Sequence, residues 1–248
     1  MSERSIGAKR GPDLPYKLLA GVEPCPAGWL VAPAKLVGTN LALEAPFVAK
    51  TFREIIDYVP SYTAIAAHIP IGLPTRASHG GRTCDREARK LLGWPRQGAV
   101  LSAPARRTLS AVKDYEKAAA LNGGHLDIIT FRLLPKIAEV AEVVEPYHQR
   151  MVYEVQPELV FYHLNEDTPL QYSKRSPKGV EERETILRRR VPAADRILDA
   201  HIPRVRKAHL LDACADLWGA RLAAGKSAAR LPEAPEWNDD GLRMEIIR

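Results

Sequence analysis

Short apolar runs separated by turn residues open the chain. Residues 16–22 and 29–34 are apolar runs on either side of Pro24-Cys25-Pro26-Ala27-Gly28, and a third run at 40–44 follows Gly38-Thr39-Asn40. Apolar runs of this length between Gly, Pro and Asn are typical of strands that are joined by tight turns. The pattern therefore predicts an antiparallel meander of three strands at the start of the domain.

A helix and a buried strand are predicted next. Residues 46–58 carry apolar side chains at helical spacing and stop before Pro60, which predicts a helix. Residues 62–71 are almost continuously apolar or small. Such a run is typical of a strand that is buried on both faces, so we expect the central strand of the sheet here.

The rest of the chain alternates between helices and strands. The spacing of apolar residues predicts helices at 128–144 and 208–224, with a strand at 151–155 between them, and opposite charges four residues apart predict a solvated helix at 181–190. Residues 75–127 are basic and loop-rich around one helix at 85–92, which indicates an inserted lobe. We therefore predict a disordered tail at residues 1–15 and one α/β domain at 16–248, with the lobe at 75–127.

Composition and charge narrow the classes of partner. The 248 residues are 46% hydrophobic and 27% charged, which is typical of a folded globular protein, and the net charge of +6 mildly favours nucleic acid as a partner. No run of about 18 uncharged apolar residues occurs, so we expect no membrane span. The cysteines form no CxxC pair, which fits a cytoplasmic protein. The sequence does not specify an oligomeric state.

Several motifs occur in a fixed order along most of the chain. They are Gly21-Val22-Glu23-Pro24-Cys25-Pro26-Ala27-Gly28-Trp29, His68-Ile69-Pro70-Ile71-Gly72-Leu73-Pro74, Arg82-Thr83-Cys84-Asp85-Arg86-Glu87-Ala88-Arg89, Phe131-Arg132-Leu133-Leu134-Pro135-Lys136-Ile137, Glu154-Val155-Gln156-Pro157-Glu158, Ser173-Lys174 and Leu210-Leu211-Asp212-Ala213. Together they resemble domain-of-unknown-function family 429, which is described as predicted nucleases. The resemblance implies an RNase H-like fold, with a mixed five-stranded sheet flanked by helices.

The resemblance also implies a metal site, which this chain alters. Nucleases of this fold hold divalent cations with carboxylates from the first strand, the central strand and the last helix. The family pattern has Asp where this chain has Glu23 and His68, and paired acids at the positions of Ala208 and His209, whereas Asp212 is retained. If the site is active, the expected ligands are Glu23, His68, His209 and Asp212. Such a nitrogen and oxygen site favours Mn²⁺ or Zn²⁺ over Mg²⁺.

Other polar residues are candidates for the surroundings of this site. Glu154 would join Glu23, His68 and Asp212 as a catalytic group, and substrate contacts are expected from a second set: Arg76, Arg106, Lys174 and Glu158. A capping or salt-bridge role remains an alternative for the two glutamates. Solvated surface charge remains an alternative for the basic residues.

Two functions remain open from the sequence. The first is a metal-dependent nuclease or other phosphodiester hydrolase, which needs a bound divalent metal. The second is a catalytically silent module that binds nucleic acid or protein on the same scaffold and needs no metal. Fold analogy alone does not choose between them.

Overall fold

The computed structural model describes residues 14–248 as a mixed α/β structure. The predicted tail at residues 1–15 lies outside the described residues, except for its last two. The strands are β1 (Lys17–Cys25), β2 (Gly28–Val37), β3 (Asn40–Leu43), β4 (Phe47–Ala49), β5 (Ala64–Ala67), β6 (Val152–Glu154), β7 (Arg230–Trp237) and β8 (Arg243–Ile247). The α-helices are α1 (Phe52–Ile56), α2 (Thr83–Leu92), α3 (Tyr115–Leu121), α4 (Ile128–Val143), α5 (Pro157–Leu164), α6 (Pro177–Arg190), α7 (Asp195–Leu198) and α8 (Lys207–Ala224). Short 3₁₀ helices lie at Arg96–Ala99, Arg106–Ala111 and Pro146–Arg150.

The main sheet combines antiparallel and parallel pairing. Its order is β3-β2-β1-β5-β6, and β4 also pairs with β2. Strands β1 to β3 form the predicted antiparallel meander, whereas β5 is parallel to both β1 and β6. The prediction of a mixed sheet flanked by helices is therefore confirmed.

The number of strands differs from the prediction, because the sheet has six strands rather than five. Strand β4 pairs with Trp29–Val31 of β2, at a place where the sequence predicts the start of a helix. Helix α1 begins only after Thr51, whose side-chain oxygen accepts a hydrogen bond from the backbone N–H of Glu54. A threonine at this position caps a helix start, so the apolar residues before it are free to join the sheet.

Two apolar layers cover the opposite faces of the main sheet. Leu19 and Ala66 belong to the layer that α5, α6, α7 and α8 cover, and we refer to this side as the α8 face. Val22 and Ala67 belong to the layer that α1, α3 and α4 cover, which is the α4 face. Because strand side chains alternate between faces, the position of a residue along its strand determines which layer it joins.

Helix α8 packs directly against β1 at Gly21. A Cβ atom at this position would lie 2.1 Å from the backbone nitrogen of Leu217 and 2.2 Å from the backbone oxygen of Ala213. Glycine inside a strand is typical of such a close approach between backbones. Glu23 lies two residues further along β1 on the same face, so this contact brings it next to α8.

Gly21→Ala is expected to lower the free energy of unfolding by about 1–3 kcal/mol, the range typical of overpacking. The backbone of α8 would have to move, which is harder than a rotation of a flexible side chain. Urea denaturation followed by circular dichroism measures the effect. Gly98→Ala is the control, because a Cβ atom there meets no atom within 4 Å. Equal stability of the two variants would contradict the close contact.

Several elements outside the main sheet differ from the predictions. Segment 75–127 contains α2, two 3₁₀ helices and α3 instead of a single helix. The last residues form a hairpin of β7 and β8, which the sequence pattern does not predict. A bridge between Val155 and Ile247 joins this hairpin to the residue that follows β6. The helices predicted at 128–144 and 208–224 correspond to α4 and α8. Within residues 14–248, no helix has the length and apolar character that crossing a membrane requires.

Candidate metal centre

Three of the predicted ligands meet at one edge of the main sheet. One potential ligand atom each from Glu23, His68 and Asp212 lies within 4.8 Å of the other two. Glu23 lies near the end of β1 and faces α8, as does Leu30 opposite it on β2. His68 directly follows β5, and Asp212 lies near the start of α8. Because β1 and β5 are parallel, their carboxyl ends lie at the same edge of the sheet, where ligands of open α/β sheets commonly bind.

Two close polar pairs involve residues of this group. The Nδ1 atom of His68 lies 2.8 Å from Oε2 of Glu23, and the Nζ atom of Lys174 donates a hydrogen bond of 2.6 Å to Oδ2 of Asp212. The carboxylates are buried, whereas the side chains of His68 and Lys174 are 24% and 37% exposed. Solvent therefore reaches the group from the side of His68 and Lys174.

The charges of this group act strongly on one another. Burial raises the pKa of Glu23, and His68 opposes this shift by favouring the ionised carboxylate. Burial disfavours the charged form of Lys174, but the nearby Asp212 and Glu23 outweigh it and raise the pKa of the lysine. Lys174 therefore remains a cation next to two acids.

A fourth acid, Asp216, is close to this group but is not among the residues predicted from the sequence. It lies on α8 one turn after Asp212 and has no exposed surface. Neither of its carboxyl oxygens has a hydrogen-bond partner among the described residues. Burial raises the pKa of Asp216 well above its usual value, and the charges of Glu23 and Asp212 raise it further. The signal in the sequence is the spacing of four residues, which places Asp212 and Asp216 on one side of a helix.

Glu154 lies on the α4 face and is not part of the group of ligand atoms within 4.8 Å of one another. It is paired with Ala67 of β5, which belongs to the apolar layer of that face. Its Oε2 atom accepts hydrogen bonds from Nη1 of Arg82 at 2.8 Å and from the backbone N–H of Ile71 at 2.7 Å. Arg82 also forms a buried ion pair with Asp85. Glu154 therefore forms a buried ion pair with Arg82, as expected if its role is structural.

Glu158 and His209 likewise make other contacts. The two carboxylate oxygens of Glu158 accept hydrogen bonds of 2.7 and 2.9 Å from Nη2 of the buried Arg183. The Nδ1 atom of His209 accepts a hydrogen bond of 3.1 Å from the backbone N–H of Arg206, at the start of α8. His209 is not part of the group of ligand atoms within 4.8 Å.

The two arginines predicted to bind substrate line a different pocket. Arg76 and Arg106 border a pocket of about 490 Å³ together with Asp239 and Asp240, and Nη1 of Arg106 lies 3.1 Å from Oδ2 of Asp240. None of the three ligands lines this pocket. Of the four predicted substrate-binding residues, the structure therefore brings only Lys174 to the candidate centre.

Two adjoining pockets lie on the α4 side of His68, next to residues 75–127. A narrow pocket beside His68 shares a wall with a larger pocket of about 640 Å³. The shared wall includes Ser102 and Thr130, and the larger pocket also contains His79 and His125. The predicted lobe therefore lines the larger pocket, whose walls include neither Glu23 nor Asp212.

Fold and site together define a mixed α/β protein with a candidate metal centre at the carboxyl ends of two parallel strands. Residues 21–237 match the family described as Protein of unknown function (DUF429), and the chain belongs to this family. No curated protein and no solved structure matches the chain. The matched residues include Glu23, His68, Lys174, Asp212 and Asp216.

Proposed function

We propose that this protein is a metal-dependent phosphodiester hydrolase with an RNase H-like fold and that its substrate is a nucleic acid. The convergence of Glu23, His68 and Asp212 carries this proposal, because residues far apart in the sequence offer three ligand atoms within 4.8 Å of one another. The sheet order, with three antiparallel strands followed by two parallel ones, supports the RNase H-like assignment. We regard residues 75–127 as the inserted lobe of that fold.

The donor set fits a single divalent cation. Catalytic zinc sites typically have three protein ligands and one open position, and the present group offers two carboxylates and one imidazole. The imidazole favours Zn²⁺ or Mn²⁺ over Mg²⁺, which prefers oxygen ligands. A cation held there would supply a Lewis acid for the phosphoryl group and an activated water as nucleophile.

Two further features of the site suit a phosphodiester substrate. Lys174 keeps a positive charge at the solvent-exposed side of the centre, where it can attract a phosphate oxygen. His68 is also partly exposed, so a phosphate group can reach the centre from solvent. Glu154 and Glu158 hold buried arginines in this proposal and do not contact substrate.

The second candidate function is a metal-free module that binds nucleic acid or protein. Two close pairs, of Glu23 with His68 and of Asp212 with Lys174, favour it. Each acid of the group already has a polar partner within 2.8 Å, so the arrangement is compatible with the absence of a cation.

Metal titration distinguishes the two functions. We expect isothermal titration calorimetry to detect one Zn²⁺ or Mn²⁺ per chain, weaker binding of Mg²⁺, and binding by His68→Ala that is at least about tenfold weaker, which corresponds to about 1.4 kcal/mol. The loss is expected because one of three ligands is removed. His201→Ala is the matched control, because His201 is exposed and lies outside the candidate centre.

Cleavage assays on single-stranded and double-stranded DNA and RNA complete the test. Hydrolysis that requires Zn²⁺ or Mn²⁺ and is lost in His68→Ala would support the first function. Binding of nucleic acid without metal and without cleavage would instead establish the second. A steep loss of that binding with added salt would indicate phosphate contacts.

A further inference from the structure

Asp216 differs from the other buried acids of this protein. Asp85, Glu154 and Glu158 are also buried, but each accepts hydrogen bonds from a buried arginine. Among the described residues, only Asp216 has two side-chain oxygens that are both buried and without a hydrogen-bond partner. A buried polar group without a partner is destabilising, and an ion or an ordered water is a common explanation for it.

The position of Asp216 on α8 connects it to the candidate centre. His209, Asp212 and Asp216 are spaced by three and four residues, so their side chains lie on one side of the helix. The contact of Gly21 with the backbone of Ala213 and Leu217 holds this part of α8 against β1, which carries Glu23. Lys174 gives its hydrogen bond to Asp212 and none to Asp216.

His209, the first of these three residues, does not belong to the group of ligand atoms within 4.8 Å of one another. In the structure, Nδ1 of His209 accepts a backbone hydrogen bond at the helix start. Asp216 places a carboxyl group on the same side of the helix, two turns further along.

We infer that Asp216 is a fourth protein group of the metal centre, whose buried carboxyl group helps to attract the cation. The inference rests on the proposed function, since it assigns Asp216 to the cation that Glu23, His68 and Asp212 would hold. Its carboxyl group is fully buried and lies outside the set of ligand atoms within 4.8 Å, so it acts on the cation through its charge and not as a ligand. A bound cation favours the ionised form of a nearby carboxyl group, and the resulting negative charge strengthens cation binding in return.

The test compares stability and metal binding in Asp216→Ala and Asp216→Asn. Without metal, we expect Asp216→Ala to unfold at the same temperature as the wild type or a higher one, because a buried carboxyl group without a partner is removed. With Zn²⁺ or Mn²⁺, we expect a smaller rise in the unfolding temperature than in the wild type, and an affinity about 10 to 100 times weaker by calorimetry. Asp216→Asn keeps the shape of the side chain and should also bind metal more weakly.

Cys214→Ala is the matched control, because Cys214 is buried on the same helix and is not among the potential ligands. Cys214→Ala should unfold at a lower temperature than the wild type. The rise in unfolding temperature that metal produces should be the same in both. If the Asp216 variants keep the full metal affinity, the inference is wrong but the proposed function stands. If the wild type itself binds neither Zn²⁺ nor Mn²⁺, the proposed function and the inference are both wrong.

Discussion

Arg82→Met is expected to lower the free energy of unfolding by about 3–5 kcal/mol, the range for removing one partner of a buried ion pair. The Nη1 atom of Arg82 donates to Glu154 at 2.8 Å and to the backbone oxygen of Ile71 at 2.7 Å, and Nη2 lies 2.7 Å from Asp85. Methionine fills similar space but leaves both carboxylates buried without a cation. Urea denaturation at neutral pH, followed by circular dichroism, measures the loss.

Arg76→Met is the matched control for this variant, because Arg76 is exposed. It should change stability by no more than about 0.5 kcal/mol. The effect of Arg82→Met should also become smaller when Glu154→Gln is added, since residues of one network do not contribute independently. Equal stability of Arg82→Met and Arg76→Met would show that the buried network contributes little.

The convergence of the three candidate ligands could be predicted because it follows from local pattern and parallel pairing. Glu23 directly follows an apolar run, His68 lies within another, and Asp212 lies on a long apolar helix. Once β1 and β5 pair in parallel, period two places Glu23 and His68 on the same face of the sheet. The family resemblance indicated that Glu23, His68 and Asp212 belong to one site. The alternation of side chains along the strands explains why Glu23 and His68 face the same side of the sheet.

The face of Glu154 could not be predicted, because it depends on how β6 pairs with β5. Glu154 is paired with Ala67, and a shift of one residue would place it on the α8 face. The strand β4 was missed for another reason. Its apolar residues fit a helix and a strand equally well over so short a length, and only the pairing with β2 decides.

Two other elements gave weak or misleading signals. Strand β7 contains Pro232 and Pro235, and proline in a run argues against a strand, so the final hairpin was not predicted. Asp216 lies on an apolar helix four residues after Asp212, and this spacing alone does not indicate that it is buried without a partner. Its burial without a partner becomes visible only when α8 is packed against β1. The contacts that matter most for the proposed site therefore come from tertiary packing.

His68→Asp is expected to change the metal preference of the candidate centre. The Nδ1 atom of His68 lies 2.8 Å from Glu23, so a carboxylate at position 68 would adjoin the carboxylate of Glu23. Like charges at this distance repel one another unless a cation lies between them. Oxygen ligands are those that Mg²⁺ prefers. The substitution should therefore create a site for the harder cation.

We expect the affinity of His68→Asp for Mg²⁺ to rise by at least about tenfold, which corresponds to about 1.4 kcal/mol, while its affinity for Zn²⁺ falls. In the absence of metal, the variant should unfold at a lower temperature than the wild type, and Mg²⁺ should reverse this loss. Calorimetric titration and thermal unfolding with each cation measure these changes, and His201→Asp is the control at an exposed site. An unchanged preference for Zn²⁺ over Mg²⁺ would mean that position 68 does not contact the cation, because the replacement of an imidazole ligand by a carboxylate must alter that preference.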